Sequence, residues 1–203
     1  MTEAARIRLP AEERRAAVLE TACRVFSRGT YHGTTTAEIA RAAGVSEPIL
    51  YRHFPSKRDL YLACIEETWA RTRARWEQAL ADEPNPAHWL AAMGRAFLEW
   101  KEQRAVISNL WLQSLAEASE DPKIRVYVRG HMRKVHAFVA DVVRRSQAAG
   151  GIHPDRDASA EAWIFLGIGL IAAAGHRLGG LVEEELGAIR ESRQTWLSGV
   201  LTR

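Results

Sequence analysis

Cysteine is scarce. Only Cys23 and Cys64 occur in 203 residues, with no metal-type spacing. That excludes a disulfide framework. It reads as two reduced, packed thiols of a cytoplasmic protein, with a redox switch as the alternative. Long hydrophobic runs are scarce too. The longest, WIFLGIGLIAAAG from Trp163 to Gly175, is too short to span a bilayer and reads as a buried helix. The opening residues MTEAARIRLPAEERR hold no apolar segment of the kind a secretory signal needs, so a cytoplasmic protein with no membrane partner is expected. No stretch alternates apolar and polar residues as a half-buried strand would, and there are no repeats or low-complexity segments. Nothing resembles a catalytic constellation, so the chain is expected not to be an enzyme and to need no cofactor. His131, His136 and His176 lack metal-ligand spacing, so no metal site is expected either.

What is present is a soluble composition, 47% hydrophobic and 26% charged, with enough length for a sizeable core. Its charge is uneven. Residues 1–58 carry ten Lys/Arg against six Glu, while residues 59–203 carry 18 Lys/Arg against 19 Asp/Glu. All the positive excess is therefore N-terminal, which suits a polyanionic partner for that part alone.

Helical periodicity runs almost throughout, so an all-α chain is expected. The first helix spans about Ala11 to Arg28. Thr35 and Glu38 form a capping box for a short second helix that Gly44 ends. Ser46 is placed to cap a third helix with Pro48 in its first turn, and Pro55 stops it. Ser56 and Asp59 open a long helix from Lys57 to about Leu80. ADEPNPAHW is the clear break. A helix restarted by Asn85 and Pro86 follows, then one through Val106 and Leu115. Asp121 and Pro122 start a long helix whose stripe is Ile124, Val128, Met132, Val135, Val139 and Val142. Asp157 caps the WIFLGIGLIAAAG helix, which stops at Gly179-Gly180. The last helix is expected from about Val182 to Leu201, opened by Glu183, Glu184 and Glu185.

One stretch carries function. Ile39, Ala40, Gly44, Val45 and Leu50 stand at helix-turn-helix spacing. Leu50 and Phe54 share one buried face, which leaves Glu47, Pro48, Ile49, Tyr51, Arg52 and His53 at the front and sides of the third helix. A short, firmly held helix with those side chains fits a DNA major groove. Arg52 suits a paired contact to guanine, Pro48 and Ile49 a thymine methyl, Tyr51 and His53 a phosphate or a base. Lys57, beside the Ser56 cap, suits a phosphate, as do Thr35 and Thr36 at another helix N-terminus. Arg28 and Arg41 read as surface charges or further phosphate contacts. The bland alternative is a three-helix bundle with a solvated face.

TTTAEIARAAGVSEPILYRHFPSKRDLYLACIEE resembles the DNA-binding region of the TetR family of bacterial transcriptional regulators, over about residues 12–66. The Gly-Val-Ser turn, the Leu-Tyr pair, the Phe and the Lys of GVSEPILYRHFPSK carry the likeness. The resemblance implies an all-helical homodimer: a helix-turn-helix domain over residues 1–56, then a ligand-binding and dimerising domain over residues 57–203, with a linking helix at 57–80. It implies a double-stranded operator and a small-molecule effector as partners. By position, Thr35, Thr36, Glu47, Pro48, Ile49, Tyr51, His53 and Lys57 match family DNA contacts, and Arg52 matches one used in some members. Pro48-Ile49 departs from the commoner pattern of a Gly and a small polar residue.

In the C-terminal part, Met93, Phe97, Trp100, Trp111, His131 and Trp163 are the candidate ligand-binding residues, with plain core packing as the alternative. Gly167, Gly169, Ala172 and Gly175 on one helix, and Val182, Leu186, Ile189, Trp196 and Val200 on the last, are expected to form a dimer seam, or else an intramolecular core. The expected function is a repressor released from a palindromic operator by a small, mostly apolar ligand. Alternatives are a helical binding protein or enzyme whose helix-turn-helix is only structural, and an architectural DNA binder without an effector.

Overall fold

The computed structural model describes residues 10–198. Among these the chain forms helices and turns and no strand. In order they are α1 Ala11–Arg28, α2 Thr36–Ala42, α3 Glu47–His53, α4 Lys57–Asp82, α5 Trp89–Glu99, α6 Lys101–Glu120, α7 Pro122–Ala148, α8 Ala158–Arg177 and α9 Leu186–Ser198. A 3-10 turn, Pro86–His88, leads into α5.

Four of the helix starts are fixed by side chains that accept from orphan backbone N–H groups. Thr35 Oγ1 accepts from Glu38 N at 3.1 Å, Asp121 from Lys123 N at 2.8 Å, and Asp157 from Ala160 N at 2.7 Å. Ser56 and Asp59 close a reciprocal pair, with Asp59 N donating to Ser56 Oγ and Ser56 Oγ to the carboxylate. Ser46 departs from expectation. It has the extended cap conformation, but its side chain makes no cap bond. Pro48 has no N–H to offer, and Ile49 N already donates to the Ser46 carbonyl at 3.0 Å. Ser46 therefore caps through its backbone.

The chain packs as two compact units that meet within α4, at Cys64 and Ile65. The first unit has its own core. Val18, Leu19, Ala22 and Phe26 of α1 close over Ile39, Ala40 and Leu50, and over Leu60, Tyr61 and Cys64 of early α4; each is at most 6% exposed. Burying a side chain of this size stabilises by about 1.5–3 kcal/mol. Phe26 meets Tyr61 edge-on at 5.2 Å.

In the second unit α7 packs against α6 and α8, with α5 alongside. Its core draws on Trp76, Leu90, Met93, Val139, Val142 and Leu166. Two expectations need correction here. The apolar α8 is not buried all round: Trp163, Ile164 and Ile171 are 47%, 44% and 55% exposed. With Gly167 they fall on one helical stripe, away from the buried Ala162, Leu166 and Ala173. α8 is long and apolar enough to cross a membrane, but its buried face carries Glu161, ion-paired with Arg193 of α9. The last helix also starts later than Val182. Gly179 and Gly180 take φ of 78° and 93°, and the chain turns so tightly that a Cβ on Gly175 would lie 2.7 Å from Val182 Cγ2. Val182 and the three glutamates belong to that turn, not to the first turn of α9. Val200 and Leu201 lie outside the described residues.

Candidate nucleic-acid interface and core cavity

In the first unit, α2 and α3 are joined by a tight turn. Gly44 sits at φ 67°, and Val45 N donates back to the Ala40 carbonyl at 3.0 Å. That left-handed step is cheap only for glycine. Leu50, fully buried, and Phe54, 2% exposed, anchor one face of α3. The other face carries the expected side chains outward: Pro48, Tyr51 and Arg52 are exposed, and Glu47, Ile49 and His53 half-buried. Two of them converge on Thr36 of α2. Thr36 Oγ1 donates to Glu47 Oε1 at 2.7 Å and lies 2.9 Å from Tyr51 Oη. This network fixes the front of α3 against the start of α2. Thr35 spends its hydroxyl oxygen on the cap. Lys57 is held on one side, its Nζ 4.7 Å over the Tyr31 ring and 3.4 Å from the His32 carbonyl. Arg52 stands free of any hydrogen bond or ion pair among the described residues, a guanidinium open to a base edge. Arg28 and Arg41 are exposed surface charges.

The second unit contains a cavity of about 180 Å³. For scale, an apolar cavity of about 150 Å³ takes a benzene ring. Of the six candidate ligand residues, Phe97, Trp111 and His131 line it. The other three do not. Met93 is wholly buried in the core, Trp100 forms the joint between α5 and α6, and Trp163 is on the outside, stacked on His136 at 4.3 Å. Several wall residues were not legible as such. Trp69 and Trp76 come from α4, read from sequence as a linker, and Phe165 from the far side of α8. Gly169, Ala172, Leu186 and Ile189 also face the cavity, although their stripe pattern suggested a dimer seam. An apolar stripe says that a residue is covered, not by what. The period-3.6 pattern of α4 was the one available signal.

The polar content of the wall is small and specific. Thr68 and Thr72 return their hydroxyls to backbone carbonyls of α4 at 2.8 Å. Trp111 Nε1 donates to Met132 Sδ at 3.2 Å. Trp76 Nε1 is buried without a partner. His131 Nδ1 lies 3.5 Å from Glu66 Oε2, which also accepts from the Tyr127 hydroxyl at 2.7 Å. Burial lowers the His131 pKa, and Lys134 adds to this; nearby Glu66 opposes it without prevailing. Burial pushes the Glu66 carboxyl up, but the Tyr127 hydrogen bond and the charges of Lys134 and His131 outweigh that and hold it low. Burial and Glu66 raise the Tyr127 phenol, so it remains a donor. His136 and His176 sit elsewhere, on Ser159 and Glu183 respectively.

These features can be set beside known proteins. Residues 18–64 match the family model of bacterial regulatory proteins of the tetR family, and residues 86–168 the C-terminal model of BetI-type transcriptional repressors. The HTH-type transcriptional activator FasR of Mycolicibacterium smegmatis is 40% identical over 95 residues, 47% of this chain and 43% of that protein, so the match spans under half of that relative. The HTH-type transcriptional regulator UidR of Escherichia coli is 25% identical over 145 residues, 71% of this chain and 72% of that one. A TetR transcriptional regulator of Chloroflexus aurantiacus superposes with a TM-score of 0.74 at 25% identity, covering 95% of this chain and 96% of its own. A helix-turn-helix unit within one matched segment and a cavity-bearing helical unit across the other leave one assignment: the chain belongs to the TetR family of bacterial regulatory proteins.

Proposed function

We propose that this DNA-binding transcriptional regulator acts in the cytoplasm as a homodimeric repressor, released from a palindromic operator by a small, mostly apolar ligand. The observation that carries the reading is the cavity itself: an aromatic-lined space inside the unit that follows the helix-turn-helix. Thr35, Thr36, Glu47, Pro48, Ile49, Tyr51, Arg52, His53 and Lys57 form the DNA-facing set. Phe97, Trp111 and His131 belong to the ligand-facing set, joined by Trp69, Trp76 and Phe165. The exposed stripe of α8 supports the dimer, since two copies would cover it. The BetI-type match supports repression. The likeness to an activator supports the second reading, in which the bound protein raises transcription. α4 contributes to both units, so a ligand that moves its cavity-lining turns acts on the helix that carries Lys57. Emptying an almost fully occupied operator takes about 10⁴-fold preference of the ligand for the other state.

The test is a mobility shift with DNA from upstream of the protein's own gene, followed by addition of lipophilic compounds. Retarded DNA that a compound frees supports the reading. No shift with any upstream fragment sinks it and favours a purely structural helix-turn-helix. A shift that no ligand reverses favours an architectural binder. A reporter fused to the same DNA separates repression from activation.

A further inference from the structure

The cavity wall has a polar point whose hydrogen-bonding sense is biased by the charge behind it. His131 is 9% exposed and lies on the wall. Its Nδ1 is sealed from solvent and makes no close hydrogen bond, but it faces the Glu66 carboxylate, with Oε2 at 3.5 Å. A carboxylate only accepts, so the proton of a neutral imidazole belongs on Nδ1. Glu66 is itself held in place by the Tyr127 hydroxyl at 2.7 Å and by Lys134 Nζ at 3.4 Å. Nε2 is then left with a lone pair, unsealed, and with no hydrogen-bond partner among the described residues. The ring is flanked by Trp69 at 6.4 Å and Tyr127 at 6.0 Å, between centroids.

We infer that the cavity selects apolar ligands carrying a hydroxyl or N–H group, which donates to His131 Nε2, and discriminates against carboxylates of the same skeleton. This rests on the reading of the cavity as an effector site and names the chemistry of that effector. An acceptor-only anion would meet the imidazole lone pair with the Glu66 carboxylate behind it. A ligand with no donor would leave Nε2 desolvated and unpaired, a cost the hydroxylated ligand avoids. Glu66 is a positioning residue: it sets the tautomer and does not touch the ligand. The cation on the wall, Arg193, is paired with Glu161 and offers no free charge to an anion.

The direct test is the ¹⁵N shift pattern of the His131 ring in the intact dimer at pH 7.5. The Nδ1–H tautomer is expected, and an Nε2–H tautomer overturns the assignment. Binding is then measured by calorimetry with 2-naphthol, 2-fluoronaphthalene and 2-naphthoate, probes of one skeleton. The parent should bind 2-naphthol about tenfold more tightly than 2-fluoronaphthalene, and 2-naphthoate most weakly. His131→Phe should erase the difference between the first two, and Glu66→Gln should shrink it. Equal affinities in the parent, or no binding of any probe, overturn the proposal.

A second measurement needs no variant. The ionisable groups facing the ring are Glu66 from α4, and Tyr127 and Lys134 from α7. Acidification protonates Nε2 while Glu66, held low, stays charged, so the 2-naphthol preference should fade and 2-naphthoate should gain. A preference indifferent to pH counts against the acceptor. Operator release by a probe that shows no hydroxyl preference overturns this inference and leaves the regulatory reading standing. A hydroxyl preference without operator release upholds it and refutes the effector reading.

Discussion

Arg52 and Lys57 are both cations near the recognition surface, yet they are built differently. Arg52 is exposed and unpartnered, while Lys57 is pinned against Tyr31 and the His32 carbonyl. A free guanidinium can pair with a guanine edge, which discriminates by about 1–3 kcal/mol, whereas a fixed ammonium suits a phosphate. Arg52→Ala should therefore relax sequence preference. Lys57→Ala should weaken binding to all sequences alike and reduce the salt slope by about one unit. Competition shifts at several salt concentrations check both, and equal behaviour of the two variants would show that α3 is not the reading helix. A pH effect belongs to this scale too. His131 is held below its ordinary 6.5 and Glu66 below its ordinary 4.5. In each window the unfolded chain binds more protons, so stability rises with pH. The melting temperature should fall as pH drops below about 6.5, and again below about 4.5, and His131→Phe should remove the first step. The outward face of α3 was legible in the sequence because Leu50 and Phe54 fix which side of a seven-residue helix is buried. His131 was legible as a candidate, but Glu66 was not, since it approaches across α4 and α7 from 65 positions away in the chain.

Among the elements, α2 to α3 is the most tightly specified. Leu50 is wholly buried, and Leu50→Ala should cost about 2–5 kcal/mol, read from urea unfolding. Gly44→Ala tests the turn separately. Open space surrounds a Cβ there, so the cost is the left-handed backbone alone, about 1–2 kcal/mol. A larger loss would mean that the turn is crowded. Helix limits were readable where a cap residue stands next to a proline or where two glycines follow, as at Asp121-Pro122 and Gly179-Gly180. They were misread at Val182, where Gly175 allows a close approach within the second unit that no local pattern announces. α8 shows the same limit. Its composition is apolar throughout, and only the packing of α6 and α7 divides it into a covered and an open side.

For the whole molecule, the proposed dimer turns on the open side of α8. Trp163, Ile164 and Ile171 form an exposed apolar row that a second copy would cover. Ile171→Asp should give a light-scattering mass of one subunit at micromolar concentration and abolish operator binding, because a dimer spans half-sites about 34–36 Å apart. A variant that stays dimeric would move the seam elsewhere. The spread of the seven tryptophans has an optical consequence. Trp69, Trp76 and Trp111 stand on the cavity wall, while Trp163 and Trp196 are 47% and 42% exposed. The native emission thus contains two distinct sets, beside the half-buried Trp89 and Trp100. Iodide in solution reaches the outer pair, and an occupant of the cavity quenches the inner three. A dimer that shields α8 dims the iodide response without touching the inner signal, so one unlabelled sample reports assembly and occupancy in separate channels.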